Sequence, residues 1–287
     1  ADRTLGRWSK LHLAGEVLRH GLFNLQSRRR AFQVGERHYD LGNDVFELML
    51  DPAMQYSCAY WARADDLETA QRHKLDLICR KLELRPGERL LDIGCGWGGL
   101  ARHAAEHYGV ARERCAGLPV DIRLMDYRDL AERYDKIVSV GMFEHVGPKN
   151  HATFFAVTER ALEDDGLFLL HTIGAATPTP TDAWIDRYIF PNGKIPAAGE
   201  LVVAIGTRFL IEDWHNFGTD YDRTLMAWWR RFDARWHTIE ARYGERFYRM
   251  WKYYLLSCAG YFRARQGQLW QLVLSKPGRV PVYRSVR

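Results

Sequence analysis

Residues 90–100 read LLDIGCGWGGL. Leu90, Leu91 and Ile93 read as the end of a buried strand. Gly94, Gly96, Gly98 and Gly99 follow, and a helical pattern begins at Leu100 and runs to Tyr108. A strand that enters a glycine-rich turn and leaves as a helix is a ligand-binding device. Glycines let the backbone approach a ligand, and the helix N-terminus offers free N–H groups. In an open α/β sheet, the carboxyl end of a strand is where ligands bind.

The stretch alone leaves more than one ligand open. Gly94-x-Gly96-x-x-Gly99 also fits the dinucleotide fingerprint of a nicotinamide oxidoreductase. A phosphate loop is excluded, because no Gly-Lys-Ser/Thr follows. Asp92, two residues before the first glycine, favours S-adenosylmethionine, whose ammonium an acid there can bind directly or through water. A tight strand–helix turn with no ligand is the bland alternative.

With 287 residues, 47% of them apolar, the chain can build one large or two modest domains around a sizeable core. Its 10 Trp, 14 Tyr and 13 Phe suit core packing or a greasy substrate tunnel. No apolar run approaches the roughly 18 residues of a membrane span. Cys58, Cys79, Cys95, Cys115 and Cys258 are odd in number and unpatterned, which argues for a reducing cytosol and against disulfides or a zinc site. The net charge of +5 is concentrated in residues 1–37, where eight Arg or Lys face three acids. Leu11, Val17, Leu18, Leu22 and Leu25 interleave with those charges. Such a segment fits an anionic membrane surface, RNA or an ordinary solvated helix face.

Residues 36–61 are too irregular for a sheet strand and are expected to fold over the cofactor site. Residues 67–82 form a helix, with Leu67, Ala70, Leu75, Ile78, Cys79 and Leu82 near a period of 3.6. Residues 120–125 read as the third strand of a doubly wound sheet, ending at Asp126-Tyr127. Only residues 109–119 precede it, where a second strand and a crossover of about a dozen residues belong. The sequence therefore predicts that residues are absent between Val110 and Ala111, as a break in the chain. Residues 137–140 and 167–170 are the next strands, delivering Glu144 and His171; 153–162 form a helix and 164–166 a turn. This alternation implies an α/β fold whose parallel sheet carries helices on both faces. Residues 225–236 and 247–262 carry aromatic helical stripes, and 268–274 read as a closing strand.

HYDLGND (38–44), MQYSCAYW (54–61), LDIGCGWGGLA (91–101), SVGMFEHVGPKN (139–150), FLLHTIG (168–174), YIFPNG (188–193), EDWHNFG (212–218) and YDRTLMAW (221–228) occur in this order. Together they resemble the bacterial cyclopropane fatty acid synthases, and mycolic acid cyclopropane synthases share several of them. The resemblance covers residues 23–271. It implies a doubly wound Rossmann-like methyltransferase sheet with an aromatic-rich helical cap, with 38–287 as the catalytic domain. Residues 1–37 then form a basic amphipathic segment, and nothing matches the rest of the family's N-terminal domain.

The resemblance implies transfer of a methylene carbon from S-adenosylmethionine to a cis double bond of a phospholipid acyl chain. The expected partners are an unsaturated phospholipid and an anionic membrane surface, with no nucleic acid and with room for a homodimer. The enzyme would be cytoplasmic and peripheral on the inner face of the cell membrane. A methyl-branched product and an RNA methyltransferase stand as alternatives. A membrane-binding module with a degenerate cofactor site is opposed by the intact Glu144, His171 and glycines.

By the same resemblance, Tyr39, Tyr56 and Ser57 of the covering segment bind the cofactor. So do Asp92, Gly94, Cys95, Gly96 and Gly98 of the loop, while Asp126 and Tyr127 face the adenine; no metal is implied. An alkene is a weak nucleophile, and the carbocation it forms needs a dry site with aromatic faces. Phe143, Trp184, Tyr188 and Tyr254 fit either that wall or ordinary core. The resemblance implies a bicarbonate ion as the base for ring closure, held by Cys58, Glu144, His171, Tyr221 and the backbone of Ile173. Glu144 beside an anion should have a raised pKa. Cys258 is a further thiol of the site by resemblance, although its apolar helix stripe also fits a small buried hydrophobe. His38, His145 and His215 read as structural contacts.

Overall fold

The computed structural model describes Gln26, residues 42–110 and residues 120–287. Its strands are β1 (Leu90–Asp92), β2 (Tyr134–Val140), β3 (Leu162–Gly174), β4 (Leu210–Asn216) and β5 (Gln268–Ser275). They form one sheet in the order β1-β2-β3-β5-β4. The first three run parallel, and β5 is antiparallel to both β3 and β4, so the sheet is mixed rather than parallel throughout.

The residues expected as a third strand, 120–125, are irregular backbone, and Leu124 is 92% exposed. A strand needs a neighbour to share its ladder. Among the described residues the edge of the sheet is β1, and no described strand lies beside it for residues 120–125 to pair with. The junction at 110/111, with the absence expected there, runs into residues outside the described ones. The expected turn at 164–166 is a bulge within β3, whose pairing with β2 jumps from Leu162 to Leu167. The block 212–218 falls largely in β4, a strand that hydropathy does not announce.

Helices cover both faces. One face holds α2 (Leu67–Lys81) and α3 (Gly99–Tyr108), packed on Val138, Leu167, Leu169 and Val273. The other holds α4 (His151–Ala161) and α6 (Ala198–Ile205), packed on Ile137, Phe168, Leu170, Leu272 and Leu274. Neighbouring residues along each strand thus enter opposite cores, as the pleat requires. Asp66 caps α2 by accepting from the Thr69 N–H at 2.9 Å, and the whole periodic set from Leu67 to Leu82 is buried. The short helix α5 (Ala183–Tyr188) packs Trp184 and Ile185 against the aromatic core of the cap.

The cap is a separate aromatic core built by α1 (Asn43–Met49), α7 (Thr219–Arg235) and α8 (Glu240–Arg263). Phe46, Trp228, Phe232 and Trp251 are almost wholly buried in it. Truncating one such ring to alanine costs about 3–5 kcal/mol. Gly244, at φ 73°, breaks α8 near its start.

Close packing of the glycine loop makes a direct test. A Cβ on Gly99 would lie 2.2 Å from the Ala53 carbonyl oxygen, whereas one on Gly199, in α6, meets nothing within 4 Å. Gly99→Ala should destabilise the fold by about 2–3 kcal/mol in urea unfolding. Gly199→Ala should leave it unchanged or gain up to about 1 kcal/mol.

Candidate functional site

A cavity of about 2290 Å³, bounded by the described residues, lies at the carboxyl ends of β1, β2 and β3 beneath the cap. A pocket for one drug-sized ligand takes roughly 300–1,000 Å³, so this one has room for more than one molecule. Its polar end is the loop after β1. Gly94, Gly96 and Gly98 all have positive φ, between 55° and 86°, a region that side chains rarely enter. Gly99 then brings the start of α3 against Ala53.

Asp92 lines this end, and its buried Oδ1 has no hydrogen-bond partner among the described residues. Burial pushes its carboxyl up to about 7, against the pull of the Lys74 charge. Such an acceptor fits the ammonium of an amino-acid ligand.

Opposite the loop, the segment 51–57 is folded by Asp51, whose carboxylate accepts from the Ala53 and Gln55 N–H groups at 2.9 Å each. Lys74 of α2, fully buried, donates to Gln55 Oε1 at 2.6 Å and Ser57 Oγ at 2.9 Å. Its pKa falls to about 8, chiefly through burial. Sequence reasoning passed over Lys74, yet it sits four residues after Ala70 and four before Ile78, on the buried stripe.

The acid of the site comes from the ends of β2 and β3. The Gly141 N–H donates to the His171 carbonyl at 2.9 Å and ties the two strand ends together. Glu144 rides a 3₁₀ turn, Phe143–His145, and its Oε1 accepts from the Ile173 N–H at 2.7 Å. Its Oε2 is buried with no partner among the described residues. Burial raises the carboxyl to about 7, with the Ile173 hydrogen bond working in the opposite sense. The expected rise therefore has a different cause, since it needs no neighbouring anion. The Ile173 N–H, expected to face an anion, is taken by Glu144 itself.

Glu144, Ile173, Tyr221 and Cys258 line the cavity, as do Tyr56, Ser57, Cys95 and Tyr127. His171, Cys58 and Gly98 do not. His171 is 1% exposed, two residues before Ile173 on the same strand face, with its Nδ1 3.2 Å from Gln271 Nε2. In that amide orientation the Gln271 N–H donates and the ring proton sits on Nε2, a buried atom without a partner among the described residues. Burial holds the ring neutral. Cys58 is fully buried beside Phe217, Ile173 and Tyr221, and its thiol donates to the Ala59 carbonyl at 3.2 Å. Burial pushes the thiols of Cys58 and Cys258 upward, Cys258 to about 12, so neither is a ready thiolate.

Other expectations change. Asp126 lines the cavity, but Arg128 grips its carboxylate with two N–H bonds of 2.8 and 2.6 Å. Phe143 is core, stacked on His151 at 4.4 Å between centroids. Trp184 and Tyr188 line a separate surface groove. The aromatic wall is Tyr56, Phe190, Tyr221 and Tyr254, with the Tyr56 and Tyr254 hydroxyls 2.7 Å apart. Tyr39, His38, Cys115 and, apart from Gln26, the basic segment 1–37 lie outside the described residues.

Glu144 supplies a pH test. Its pKa is about 7 in the fold against an ordinary 4.5, so ionising it opposes folding and its stabilising contribution is lost as pH rises through 7. Glu144→Gln keeps the acceptor for Ile173 and cannot ionise. Its stability relative to the parent should be flat below pH 4 and rise by about 3 kcal/mol above pH 8 in urea titrations.

The family model described as mycolic acid cyclopropane synthetase matches residues 26–117 and 111–272, two pieces that meet where the crossover is too short. The chain is 58% identical over 270 residues to the cyclopropane-fatty-acyl-phospholipid synthase of Escherichia coli (strain K12), covering 89% of this chain and 71% of that protein. It is 35% identical to cyclopropane mycolic acid synthase 2 of Mycobacterium leprae, over 84% of this chain and 92% of that protein. A solved cyclopropane synthase from Mycobacterium tuberculosis superimposes with a TM-score of 0.79 at 33% identity, over 85% of this chain and 98% of the other. A mycolic acid cyclopropane synthase complexed with SAH and CTAB gives the same TM-score at 31% identity, with the same coverage of each chain. The sheet, the glycine loop and the aromatic cap are thus those of an S-adenosylmethionine-dependent methyltransferase, and the chain belongs to the mycolic acid cyclopropane synthetase family.

Proposed function

We propose that this enzyme converts a cis double bond of a phospholipid acyl chain into a cyclopropane ring, as the name of its Escherichia coli relative describes. One observation carries the chemistry. A carboxyl with a raised pKa, Glu144, lies buried in the lining of a large cavity that the glycine loop and an aromatic wall also line. No described helix is long and apolar enough to cross a membrane, so the acyl chain would reach the cavity from a surface contact. The basic segment 1–37 suits such a contact with an anionic membrane.

S-adenosylmethionine, when bound, supplies the methyl group. The loop glycines and Asp92 would hold its amino-acid end, and Ser57 and Tyr56 would close over it. The π faces of Tyr56, Phe190, Tyr221 and Tyr254 stabilise positive charge developing on the acyl chain and exclude the water that would quench it.

Ring closure then requires a proton to leave the new methyl group. Support for a small oxyanion as base comes from Glu144 Oε2 and His171 Nε2, buried polar atoms that lack partners among the described residues, and from Tyr221 and Cys58, which pack in one cluster with Ile173, although His171 and Cys58 lie behind the cavity lining. Glu144, His171, Tyr221, Cys58 and the Ile173 backbone would hold a bicarbonate ion there, which supplies the basic oxygen. Because Ile173 is engaged by Glu144, the carboxyl has to turn to admit the ion. Protonated, as its raised pKa allows, Glu144 becomes a hydrogen-bond donor rather than a repelling charge.

The test is incubation with labelled S-adenosylmethionine and vesicles of unsaturated phospholipid, followed by mass analysis of the released acyl chains. Chains heavier by one methylene, lacking the alkene and carrying a ring are expected; an unchanged alkene, a methyl-branched chain without a ring, or label only on RNA contradicts the reading. Glu144→Gln should lower turnover by roughly a hundredfold or more while cofactor affinity stays within about twofold. Loss of cofactor binding instead would move Glu144 out of the chemical step.

A further inference from the structure

Two buried lysines emerge from α2, and they differ in partner. Lys81 is paired with Asp213 at 3.0 Å. Lys74 is equally buried and forms no ion pair among the described residues. Its hydrogen bonds go to neutral oxygens, Gln55 Oε1 and Ser57 Oγ. The carboxylates of Asp51 and Asp92 act on it through space but form no ion pair with it, so its contacts are made by neutral oxygens that it fixes in orientation.

Hydrogen-bond polarity sets that orientation. An ammonium is only a donor, so Ser57 Oγ must accept from Lys74 and is left to use its own O–H as a donor. Gln55 is constrained likewise: Oε1 accepts from Lys74 and Nε2 donates to the Ala53 carbonyl at 3.0 Å, leaving its second N–H to give. Both residues line the cavity, and Lys74 itself lies behind them. Asp92, whose buried Oδ1 acceptor has no partner among the described residues, lines the same cavity. A donor surface backed by a cation, set against a carboxylate, matches an α-amino acid zwitterion read in one orientation.

We propose that Lys74 is a positioning residue that orients the methionine end of the cofactor, fixing Gln55 and Ser57 as donors to its carboxylate while Asp92 receives its ammonium. The assignment rests on the methyltransferase reading above, and it places in α2 a determinant that touches no ligand atom.

Calorimetric titration of the intact chain with two probes separates the possibilities. S-adenosylhomocysteine carries the zwitterion, whereas 5′-methylthioadenosine keeps the adenosine and sulfur but lacks it. Lys74→Met should weaken S-adenosylhomocysteine binding roughly tenfold or more and change methylthioadenosine binding less than about twofold. Ser57→Ala, which leaves the buried lysine in place, should show the same selectivity and keeps the test open if Lys74→Met does not fold. An equal loss for both probes makes Lys74 a purely structural residue and overturns the proposal. So does a Ser57→Ala protein with unaltered affinity for S-adenosylhomocysteine. A parent protein that binds neither probe overturns the cofactor reading itself, and the proposal with it.

Discussion

The ammonium of Lys74, fully buried, is the constraint on which the site depends. Its bonds to Gln55 and Ser57 pin the covering segment onto α2, and Gln71 adds a donor to the Ser57 carbonyl at 2.9 Å. Gly99 then lets α3 press against Ala53 of the same segment. One buried cation thereby sets the spacing between the segment 51–57 and the glycine loop, the two parts we propose hold the cofactor. Its charge also reaches across to Asp92, whose ionisation it favours against burial.

The same balance recurs at the other end of the cavity. Glu144 and Asp92 each have one buried oxygen without a partner among the described residues, and both carboxyls are raised to about 7 by desolvation. Dryness is what a carbocation requires, and it is also what raises these acids. On the proposed chemistry an apolar, aromatic wall serves two ends, protecting the cation and keeping a carboxyl protonated at neutral pH. His171, neutral and behind Ile173, keeps a buried Nε2 without a partner among the described residues and adds no charge to this end of the cavity.

Much of this was legible in the sequence, for identifiable reasons. Apolar period placed α2 within one residue of its observed end, because the burial of Leu67, Ala70, Leu75 and Ile78 dictates both. Alternation delivered β2 with Glu144 just past its end, and β3, which runs on to Gly174 so that His171 lies inside it rather than after it. The segment 120–125 misled because alternating apolar residues specify a strand only when a ladder partner exists, and sequence pattern does not contain the partner. β4 went unread since its outer residues, Leu210 and Ile211, are exposed apolar side chains at a sheet edge. Lys74 was hidden by its type: a lysine on an apolar stripe reads as an interruption until the oxygens it serves, 17 and 19 residues away, are brought to it by the fold. Which side chains face the cavity rather than the core, as with Phe143 against Phe190, depends on packing that no local pattern records.

The claim that binds these parts together is that burial poises two carboxyls near neutrality while Lys74 restrains one of them. Carbon-detected nuclear magnetic resonance of carboxyl-labelled protein, titrated from pH 4 to 9, measures it directly. Asp92 and Glu144 should titrate near 7, and Lys74→Met should move Asp92 higher while leaving Glu144 in place. Titration of both groups at the ordinary carboxylate value of about 4, or an Asp92 indifferent to the loss of Lys74, would contradict the account.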